Sequence, residues 1–317
     1  MHGFPPELSH FLALKGLKVL VLLGFNIKNK GDFKEKIIIN FKVPNNLGLA
    51  AGLDKNGDYI DCLSALGFGF LELGTVTPKP QNGNPKPRLF RVKSSKALVN
   101  KMGFNNKGVD HLVSNLKKSK TTTRIGISIG KNFDTPNELA HEDYIFCLDR
   151  IYEFADYFAV NISSPNTKGL RDLETEQELG SLLAIIKKRQ LYLAGNYGYK
   201  PIFLKISPDN NEESLKRICD VIKSNSIDGL ICSNTTTDHN YFFGSGGLSG
   251  KPLMELSTKA LSLSRKFLGE DFPIMASGGV MSAEDYYEKI ESGADLVQIY
   301  TGFIYSGPQL IDDIINK

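Results

Sequence analysis

The sequence predicts a (β/α)8 TIM barrel with a short N-terminal helical appendage. Eight short apolar runs recur along the chain, and segments with helical periodicity lie between them. The length of 317 residues suits one large α/β barrel, or else two modest domains. Most runs are almost continuously apolar, which is typical of parallel strands covered on both faces. The predicted strands span 47–55, 70–77, 124–130, 157–164, 201–208, 229–236, 273–279 and 296–302.

The segments between these strands carry apolar residues at helical spacing and predict the outer helices of the barrel. The predicted helices span 174–189, 212–224, 257–267 and 283–292. The longest interruption, 78–123, opens with four prolines that exclude a helix from its first part. We expect it to form a small excursion over the top of the barrel, with a helix near 107–118.

Residues 1–24 are expected to form the appendage and residues 25–317 the barrel domain. Pro5, Pro6 and Glu7 mark a helix start, and the following residues give the helix a broad apolar face. The segment is shorter than the ~20 apolar residues that cross a bilayer, and it lacks a cleavable signal pattern. Either the helix packs on the barrel, which composition favours, or it contacts a membrane or a lipid-soluble ligand.

Composition and charge exclude several classes of function. The formal net charge of +3 is too small to indicate a nucleic-acid partner. The four cysteines lack CxxC spacing, so they indicate neither a disulfide framework nor a zinc site. The histidines likewise show no metal-binding spacing. We therefore expect no metal, and a reducing compartment.

The most informative run is 161–167, Asn-Ile-Ser-Ser-Pro-Asn-Thr, at the end of a predicted strand. Its neutral hydrogen-bonding groups suit a planar, amide-rich ligand, although Ser-Pro-Asn is also good β-turn chemistry. Other strand ends resemble it, with small residues at 50–52 and polar ones at 233–236. Because active sites of such barrels lie at the C-terminal strand ends, these segments are expected to meet.

Lys205 stands inside an otherwise apolar strand, where a buried ammonium is costly unless it meets an anion or a polarised atom. The alternative is an outward-facing surface lysine. Glycine-rich segments at 246–250, 277–279 and 300–302 predict a phosphate site after the last two strands. A phosphate site with a lysine deeper in the barrel fits flavin mononucleotide (FMN), with Lys205 facing the N1/O2 edge. Asp54 is expected to orient the neighbouring Lys55.

Several longer motifs resemble dihydroorotate dehydrogenase of class 2, the quinone-dependent and membrane-associated branch. The resemblance extends from about residue 6 to residue 307. The motifs are AAGLDKNG, ELGTVTPKPQNGNPKPRLFR, NKMGFNN, VNISSPNTKGLR, GLICSNTT, GGLSGKPL, ASGGV and LVQIYTG.

The resemblance implies two sets of binding residues and oxidation of dihydroorotate to orotate in pyrimidine biosynthesis. The implied FMN contacts are Ala50, Ala51, Gly52, Thr75, Ser128, Asn161, Lys205, Ser233, Gly250, Gly279, Tyr300 and Thr301. The implied substrate contacts are Lys55, Asn100, Lys101, Met102, Gly103, Phe104, Asn161, Asn166, Asn234 and Thr235.

Ser164 matches the catalytic base of class 2, whereas class 1 enzymes carry cysteine there. Thr167 and Phe104 match the proton-exit route and its lid. The implied reaction takes a proton from C5 of dihydroorotate and a hydride from C6 to flavin N5. Asparagine carboxamides can pair with the cyclic diamide, and Lys55 can meet its negative charge. A serine is a poor base in water, so the site must exclude solvent.

His10, Arg91 and Tyr300 match positions around the family's quinone tunnel. The apolar helix face after His10 would then lead a membrane quinone to the flavin. This implies peripheral contact with the cytoplasmic side of a bacterial inner membrane, or with a mitochondrial inner membrane if the chain is eukaryotic and trimmed.

Two departures from the family pattern stand out. Ser128 occupies a position where the family usually presents an asparagine to the flavin. Only five residues precede Pro6, so the family's first amphipathic helix is largely missing, through either trimming or a reduced membrane hairpin.

Three competing functions are weaker. A flavin reductase of RNA uridines would favour a basic surface, which the net charge does not supply. A phosphosugar isomerase would use the phosphate segments without flavin. A non-enzymatic scaffold would leave Lys205 and Ser164 unexplained.

Overall fold

The computed structural model describes residues 3–24, 35–241 and 243–316, which form a closed barrel of eight parallel strands. The described strands are β1 (Lys36–Ile38), β2 (Phe41–Val43), β3 (Leu47–Leu49), β4 (Phe70–Val76), β5 (Leu89–Val92), β6 (Ala97–Asn100), β7 (Arg124–Ile129), β8 (Tyr157–Asn161), β9 (Ile202–Ile206), β10 (Gly229–Cys232), β11 (Gly247–Gly250), β12 (Ile274–Ser277) and β13 (Leu296–Ile299). The described α-helices are α1 (Pro6–Leu22), α2 (Ile60–Ser64), α3 (Val109–Leu116), α4 (Ala140–Ile151), α5 (Glu176–Tyr197), α6 (Glu212–Ser224), α7 (Met254–Leu268), α8 (Ala283–Glu291), α9 (Thr301–Ser306) and α10 (Pro308–Ile315).

The predicted fold class, a (β/α)8 TIM barrel with an N-terminal helix, is confirmed. The strand order around the barrel is β3, β4, β7, β8, β9, β10, β12 and β13, and β13 pairs with β3 to close it. Each predicted strand contains one barrel strand, but the observed strands end earlier. The residues left out are the polar and glycine-rich ends, whose backbone leaves the ladder at the mouth of the barrel.

Three of the four predicted outer helices, and the helix predicted near 107–118, match within about three residues at each end, while α5 continues well past residue 189. Gly195 lies inside α5 without ending it. The helix ends at Tyr197 because Gly198 takes a positive φ of 77°, which glycine tolerates. Leu193, in the unpredicted last turns, is buried. Packing against the barrel therefore extends the helix beyond its local pattern.

Aromatic rings fill the barrel interior near the N-terminal ends of its strands. A Cβ atom at Gly48 would lie 2.2 Å from the Phe70 ring, and one at Gly126 would lie 2.0 Å from the Tyr157 ring. Small residues on one strand thus make room for large ones on the next. The hairpin of β1 and β2 closes this end, where Phe41 stacks on Tyr157 with centroids 5.6 Å apart. A cavity can open only at the other end, where the strands terminate.

The excursion over the barrel is present between β4 and β7. Residues 78–123 contain α3, where a helix was predicted, and two strands, β5 and β6, that were not predicted. Strand β6 pairs antiparallel with β5 on one side and with β11 on the other. This small sheet forms a wall beside the mouth of the barrel.

Helix α1 packs beside α2 and β5 and leaves much of its apolar surface exposed. Leu14 is buried, whereas Phe11 is 50% exposed and Val19 54%. In the residues that the structure describes, no helix has both the length and the apolar character needed to cross a membrane. The predicted domain boundary after residue 24 adjoins residues 25–34, which lie outside the described residues. That boundary stays a prediction.

Candidate active site

One cavity opens at the C-terminal ends of the barrel strands and collects most of the predicted site residues. It is bounded by the strand ends below and by the sheet of β5, β6 and β11 at one side. The predicted residues that line it are Ala50, Ala51, Gly52, Lys55, Thr75, Asn100, Met102, Gly103, Phe104, Asn161, Ser164, Asn166, Lys205, Ser233, Asn234, Thr235, Gly250, Gly279, Tyr300 and Thr301.

Ser164 lies in the loop that follows β8, and its side chain faces this cavity. The residue is only 5% exposed, and its Oγ accepts a hydrogen bond from the Asn166 backbone N–H at 3.3 Å. Arg171 holds the same loop: its Nε donates to the Ser163 carbonyl at 3.0 Å and its Nη2 to the Thr235 carbonyl at 2.9 Å. The loop is therefore anchored on both sides of the cavity mouth.

A chain of hydrogen bonds orients the carboxamides on the cavity floor. Asn234 Nδ2 donates to Asn161 Oδ1 at 3.2 Å and to Ser163 Oγ at 3.0 Å. Asn161 Nδ2 in turn donates to Thr75 Oγ1 at 2.9 Å. Because each oxygen accepts and each nitrogen donates, this chain determines which end of each amide faces the cavity.

Ser128 lies one layer behind this chain and does not line the cavity. It is fully buried, and its Oγ lies 2.8 Å from Thr75 Oγ1. The serine is shorter than the asparagine of the family pattern, and its hydroxyl reaches Thr75 instead of the cavity. Ser128 can therefore influence a ligand only through Thr75.

A second pair of carboxamides lies on the opposite wall. Asn166 Nδ2 donates to Asn100 Oδ1 at 2.9 Å, and Asn100 Nδ2 donates to the Gly247 carbonyl at 3.1 Å. Lys101 follows Asn100 in sequence but points away, because its Nζ donates to the Phe243 carbonyl at 2.7 Å. The alternation of side chains along β6 places these neighbours on opposite faces.

Lys55 reaches the cavity as a cation whose contacts are neutral. Its Nζ donates to Asn105 Oδ1 at 3.0 Å. Burial, and then the charge of the nearby Arg88, lower the pKa of Lys55 to about 8. Asp54 does not orient it as expected. The Asp54 carboxylate accepts instead from the backbone N–H groups of Asp58 and Tyr59, at 3.0 and 2.8 Å, and so stabilises the turn before α2.

The glycine-rich segments meet at one end of the cavity. Gly250 and Gly279 take φ values of 95° and 88°, and a Cβ at either would come within 2.3 Å of neighbouring backbone. Only glycine suits these positions. Thr301 begins α9, and its Oγ1 lies 2.8 Å from Ser249 Oγ. Backbone N–H groups, hydroxyls and helix starts of this kind form a good anion site.

Phe104 and Thr167, the two residues predicted for a proton-exit route, differ in their position relative to the cavity. Phe104 lines the cavity in a strained conformation with φ 51°. Thr167 is 4% exposed and does not line the cavity; within the described chain, its buried Oγ1 has no hydrogen-bond partner. Its hydroxyl is therefore available to a water or to a neighbouring group.

Residues that the sequence analysis missed also line the cavity. Gln298 is the clearest case, since it is fully buried in β13 and faces the cavity. The sequence contained a signal for this residue, because Gln298 is a polar residue inside an apolar strand, as Lys205 is. The other missed lining residues are Leu89, Leu98, Leu253, Val280 and Ile299, while Ser249, Ser277 and Gly278 line the cavity from the predicted glycine-rich segments.

A second cavity lies between α1 and the barrel and is mainly apolar. All three residues of the predicted quinone tunnel, His10, Arg91 and Tyr300, line it. The His10 Nε2–H donates to the Leu53 carbonyl at 2.8 Å, and burial lowers the pKa of His10. The imidazole is therefore neutral near pH 7. The apolar lining comes largely from Ala13, Leu14, Leu17, Leu20, Leu66, Phe303 and Ile304.

The two cavities share part of their walls. A ligand in the apolar cavity would thus be separated from the polar cavity by a single layer of side chains. The shared residues are Gly52, Lys55, Leu89, Leu98, Met102 and Tyr300.

A barrel with a polar cavity over its strand ends and glycine-rich segments beside its last strands is typical of TIM-barrel enzymes that bind phosphate-bearing ligands. Comparison with known proteins identifies the member. The sequence model of the dihydroorotate dehydrogenase family matches residues 34–317. The chain belongs to this family, and its assignment to the quinone-dependent class 2 branch is confirmed.

Known proteins are similar to this chain over almost their whole length. The chain is 48% identical to the dihydroorotate dehydrogenase (quinone) of Acinetobacter baylyi, over all of this chain and 96% of that protein. It is 47% identical to that of Vibrio cholerae, over 98% of this chain and 95% of the relative. The crystal structure of DHODH from Eimeria tenella with ferulenol is similar with a TM-score of 0.90 at 35% identity, covering 98% of this chain and 90% of that one.

Proposed function

We propose that this protein oxidises dihydroorotate to orotate in pyrimidine biosynthesis, with FMN as its cofactor and a membrane quinone as the oxidant. The observation that carries the proposal is a single cavity in which Ser164, Lys205, paired carboxamides and an anion site all meet. A phosphosugar isomerase would need only the anion site. It would leave the carboxamides and Lys205 without a task.

The donor set of the cavity fits FMN. The glycine segments with Thr301 suit its phosphate, Ala50, Ala51 and Gly52 allow close approach of a flat ring, and Lys205 offers a cation to the ring's electron-rich edge. Ser233 and Thr75 add hydroxyl donors. When bound, FMN supplies the hydride acceptor; the remaining tasks belong to the protein's own side chains.

The four asparagines would bind and orient the substrate. Dihydroorotate is a cyclic diamide, and carboxamides present one donor and one acceptor to match its N–H and C=O groups. Asn100 with Asn166 and Asn161 with Asn234 are already held by hydrogen bonds, so little side-chain entropy is lost on binding. Lys55 would meet the substrate carboxylate.

Ser164 would act as the base that takes the C5 proton. A serine hydroxyl is a poor base in water, and the burial of Ser164 in an anchored loop supplies part of the help that it needs. The proton must leave Ser164 in each turnover. The unpartnered Thr167 hydroxyl would pass it outward, and Phe104 would cover the exit.

The apolar cavity under α1 would receive the quinone. Its walls adjoin the polar cavity, which lets a quinone ring approach the flavin edge without entering the substrate site. The exposed apolar face of α1 would rest on the membrane, as expected of an interfacial helix. We place the protein at the cytoplasmic face of a bacterial inner membrane, with residues 1–24 as a quinone-facing appendage and residues 25–317 as the FMN-binding domain.

The test is a pair of half-reactions on the purified protein. We expect a yellow protein whose flavin is bleached by dihydroorotate without oxygen and restored by a quinone. Fumarate and NAD⁺ serve as control oxidants and should restore it far more slowly. A colourless protein, or a flavin that dihydroorotate does not reduce, would refute the proposal.

A further inference from the structure

A buried carboxylate lies directly beneath the polar cavity and does not line it. Glu72, on β4, is 1% exposed inside the barrel. Three side chains from other strands contact it. Lys205 Nζ lies 3.5 Å from its Oε1, Gln298 Nε2 donates to its Oε2 at 2.7 Å, and Tyr157 Oη donates to the same oxygen at 3.0 Å.

Glu72 itself has no task in the proposed reaction. Removing a carboxylate and an ammonium from water is expensive, and a hydrophobic pair would often be as stable. Among the described residues, Glu72 is the only carboxylate within ion-pair distance of Lys205. Burial, and then the charge of Glu72, raise the pKa of Tyr157 well above its usual range, so Tyr157 remains a donor. The carboxylate therefore holds two donors and one cation.

The Glu72 carboxylate also determines the orientation of the Gln298 side-chain amide. A carboxylate only accepts hydrogen bonds, so the Gln298 amide must turn its Nε2 toward Glu72. Its Oε1 then remains buried, and within the described part of the chain that oxygen has no hydrogen-bond partner. Glu72 thus holds both the Lys205 cation at the cavity floor and, beside it, the Gln298 amide, whose oxygen is buried without a partner among the described residues.

We propose that Glu72 is a positioning residue that tunes the reduction potential of the bound cofactor, by balancing the charge of Lys205 and by turning the Gln298 amide. This inference rests on the proposed FMN site. A flavin gains negative charge on reduction, and Lys205 stabilises that charge. Glu72 adds a negative charge behind Lys205 and weakens the field that Lys205 presents.

The direction in which the reduction potential shifts distinguishes a tuning role of Glu72 from a purely structural one. Glu72→Gln keeps the size of the side chain but removes its charge, so the reduced form should bind more tightly relative to the oxidised form. Lys205→Met should do the opposite. If Glu72 only supported the fold, its removal would lower the reduction potential, as loss of Lys205 does, or leave it unchanged.

The experiment measures midpoint potentials of the holoenzyme against a reference dye. We expect Glu72→Gln to favour the reduced form by about tenfold, a rise of about 30 mV for a two-electron couple. Lys205→Met should lower the potential. Asp228→Asn is the matched control, because Asp228 pairs with Lys187 at 3.1 Å just before β10, at the end of the barrel away from the cavity. The midpoint potential of the Asp228→Asn variant should equal that of the wild type.

A second variant covers the case in which Glu72→Gln does not fold. Tyr157→Phe removes one hydrogen-bond donor from the Glu72 carboxylate and leaves the charges of Glu72 and Lys205 in place. Because that hydroxyl no longer offsets the negative charge of Glu72, the reduction potential of the cofactor should fall. No shift in either folded variant, or a shift of the wrong sign, would overturn the tuning role. If the wild type bound FMN and were reduced normally, that result would leave the proposed function intact. A wild type without flavin would overturn both.

Discussion

Glu7 of α1 forms an ion pair with Arg88, with Glu7 Oε1 and Arg88 Nε 2.8 Å apart. Arg88 also donates to the Asn84 carbonyl at 3.0 Å, and Asn84 Nδ2 donates to the Asn166 carbonyl at 3.1 Å. A continuous series of polar contacts therefore joins the N-terminal helix to the loop that carries the proposed base. The polar and apolar cavities are therefore tied to one framework.

Ser164→Ala should fold and retain FMN while losing most of its flavin reduction by dihydroorotate. Loss of a general base costs about 10²–10⁴ in rate. Stopped-flow reduction measures this directly, and flavin content with the melting temperature serves as the control. Near-normal reduction at neutral pH would remove Ser164 from its assigned role.

The affinity for dihydroorotate should fall as pH rises through about 8. Lys55 has its pKa lowered to about 8 by burial and by Arg88. Its ammonium, which would pair with the substrate carboxylate, is charged below that pH and neutral above it. We expect KM to rise about tenfold per pH unit above 8, one proton being required for each substrate bound. Lys55→Arg, which stays charged, should bind without this dependence; a flat wild-type KM would contradict the assignment.

Arg171→Ala should reduce kcat/KM for dihydroorotate by roughly tenfold, because hydrogen bonds from a charged group contribute about 1.5–3 kcal/mol. The variant frees the Ser163 and Thr235 carbonyls, and with them both sides of the cavity mouth. Arg217→Ala is the matched control, since Arg217 bonds to Glu213 and Ser214 within its own helix, on the exposed face of α6. Equal kinetics of the two variants would show that the loop holds its shape without Arg171.

Deletion of residues 6–23 should spare the first half-reaction and impair the second. Arg88 keeps its backbone partners without Glu7, so dihydroorotate should still bleach the flavin. Reoxidation by a long-tailed quinone should slow sharply, whereas a small soluble dye should be affected much less. His10→Ala should show a milder form of the same split. Equal losses with both oxidants would mean that α1 only braces the barrel.

Much of the site was predictable because strand ends are predictable. The C-terminal ends of parallel strands meet at one edge, so polar residues that follow apolar runs converge whatever the details of packing. Asn161, Ser164, Lys205 and Asn234 were found in this way, and all four line the cavity. Gln298 and Glu72 carried the same signal, a polar residue inside an apolar strand, and were overlooked.

The sequence was least informative where a side chain had more than one possible hydrogen-bond partner. Asp54 stands beside Lys55 in sequence, yet backbone N–H groups at the next turn satisfy its carboxylate. Ser128 and Lys101 bond to Thr75 and to the Phe243 carbonyl, and the ligand contacts that the family pattern implies for them stay predictions. Sequence spacing cannot rank such partners, because the ranking depends on distances between distant segments.

The sequence by itself determined the barrel, the edge at which the site lies and the chemistry collected there. Apolar periodicity and glycine placement are local properties, and they specify strands, helices and turns before any packing occurs. Only the tertiary structure decided that Glu72 lies under Lys205, that α1 encloses a second cavity, and that Tyr300 stands between the two cavities. These relationships join residues far apart in the chain, and they follow from how the strands close and how the helix packs.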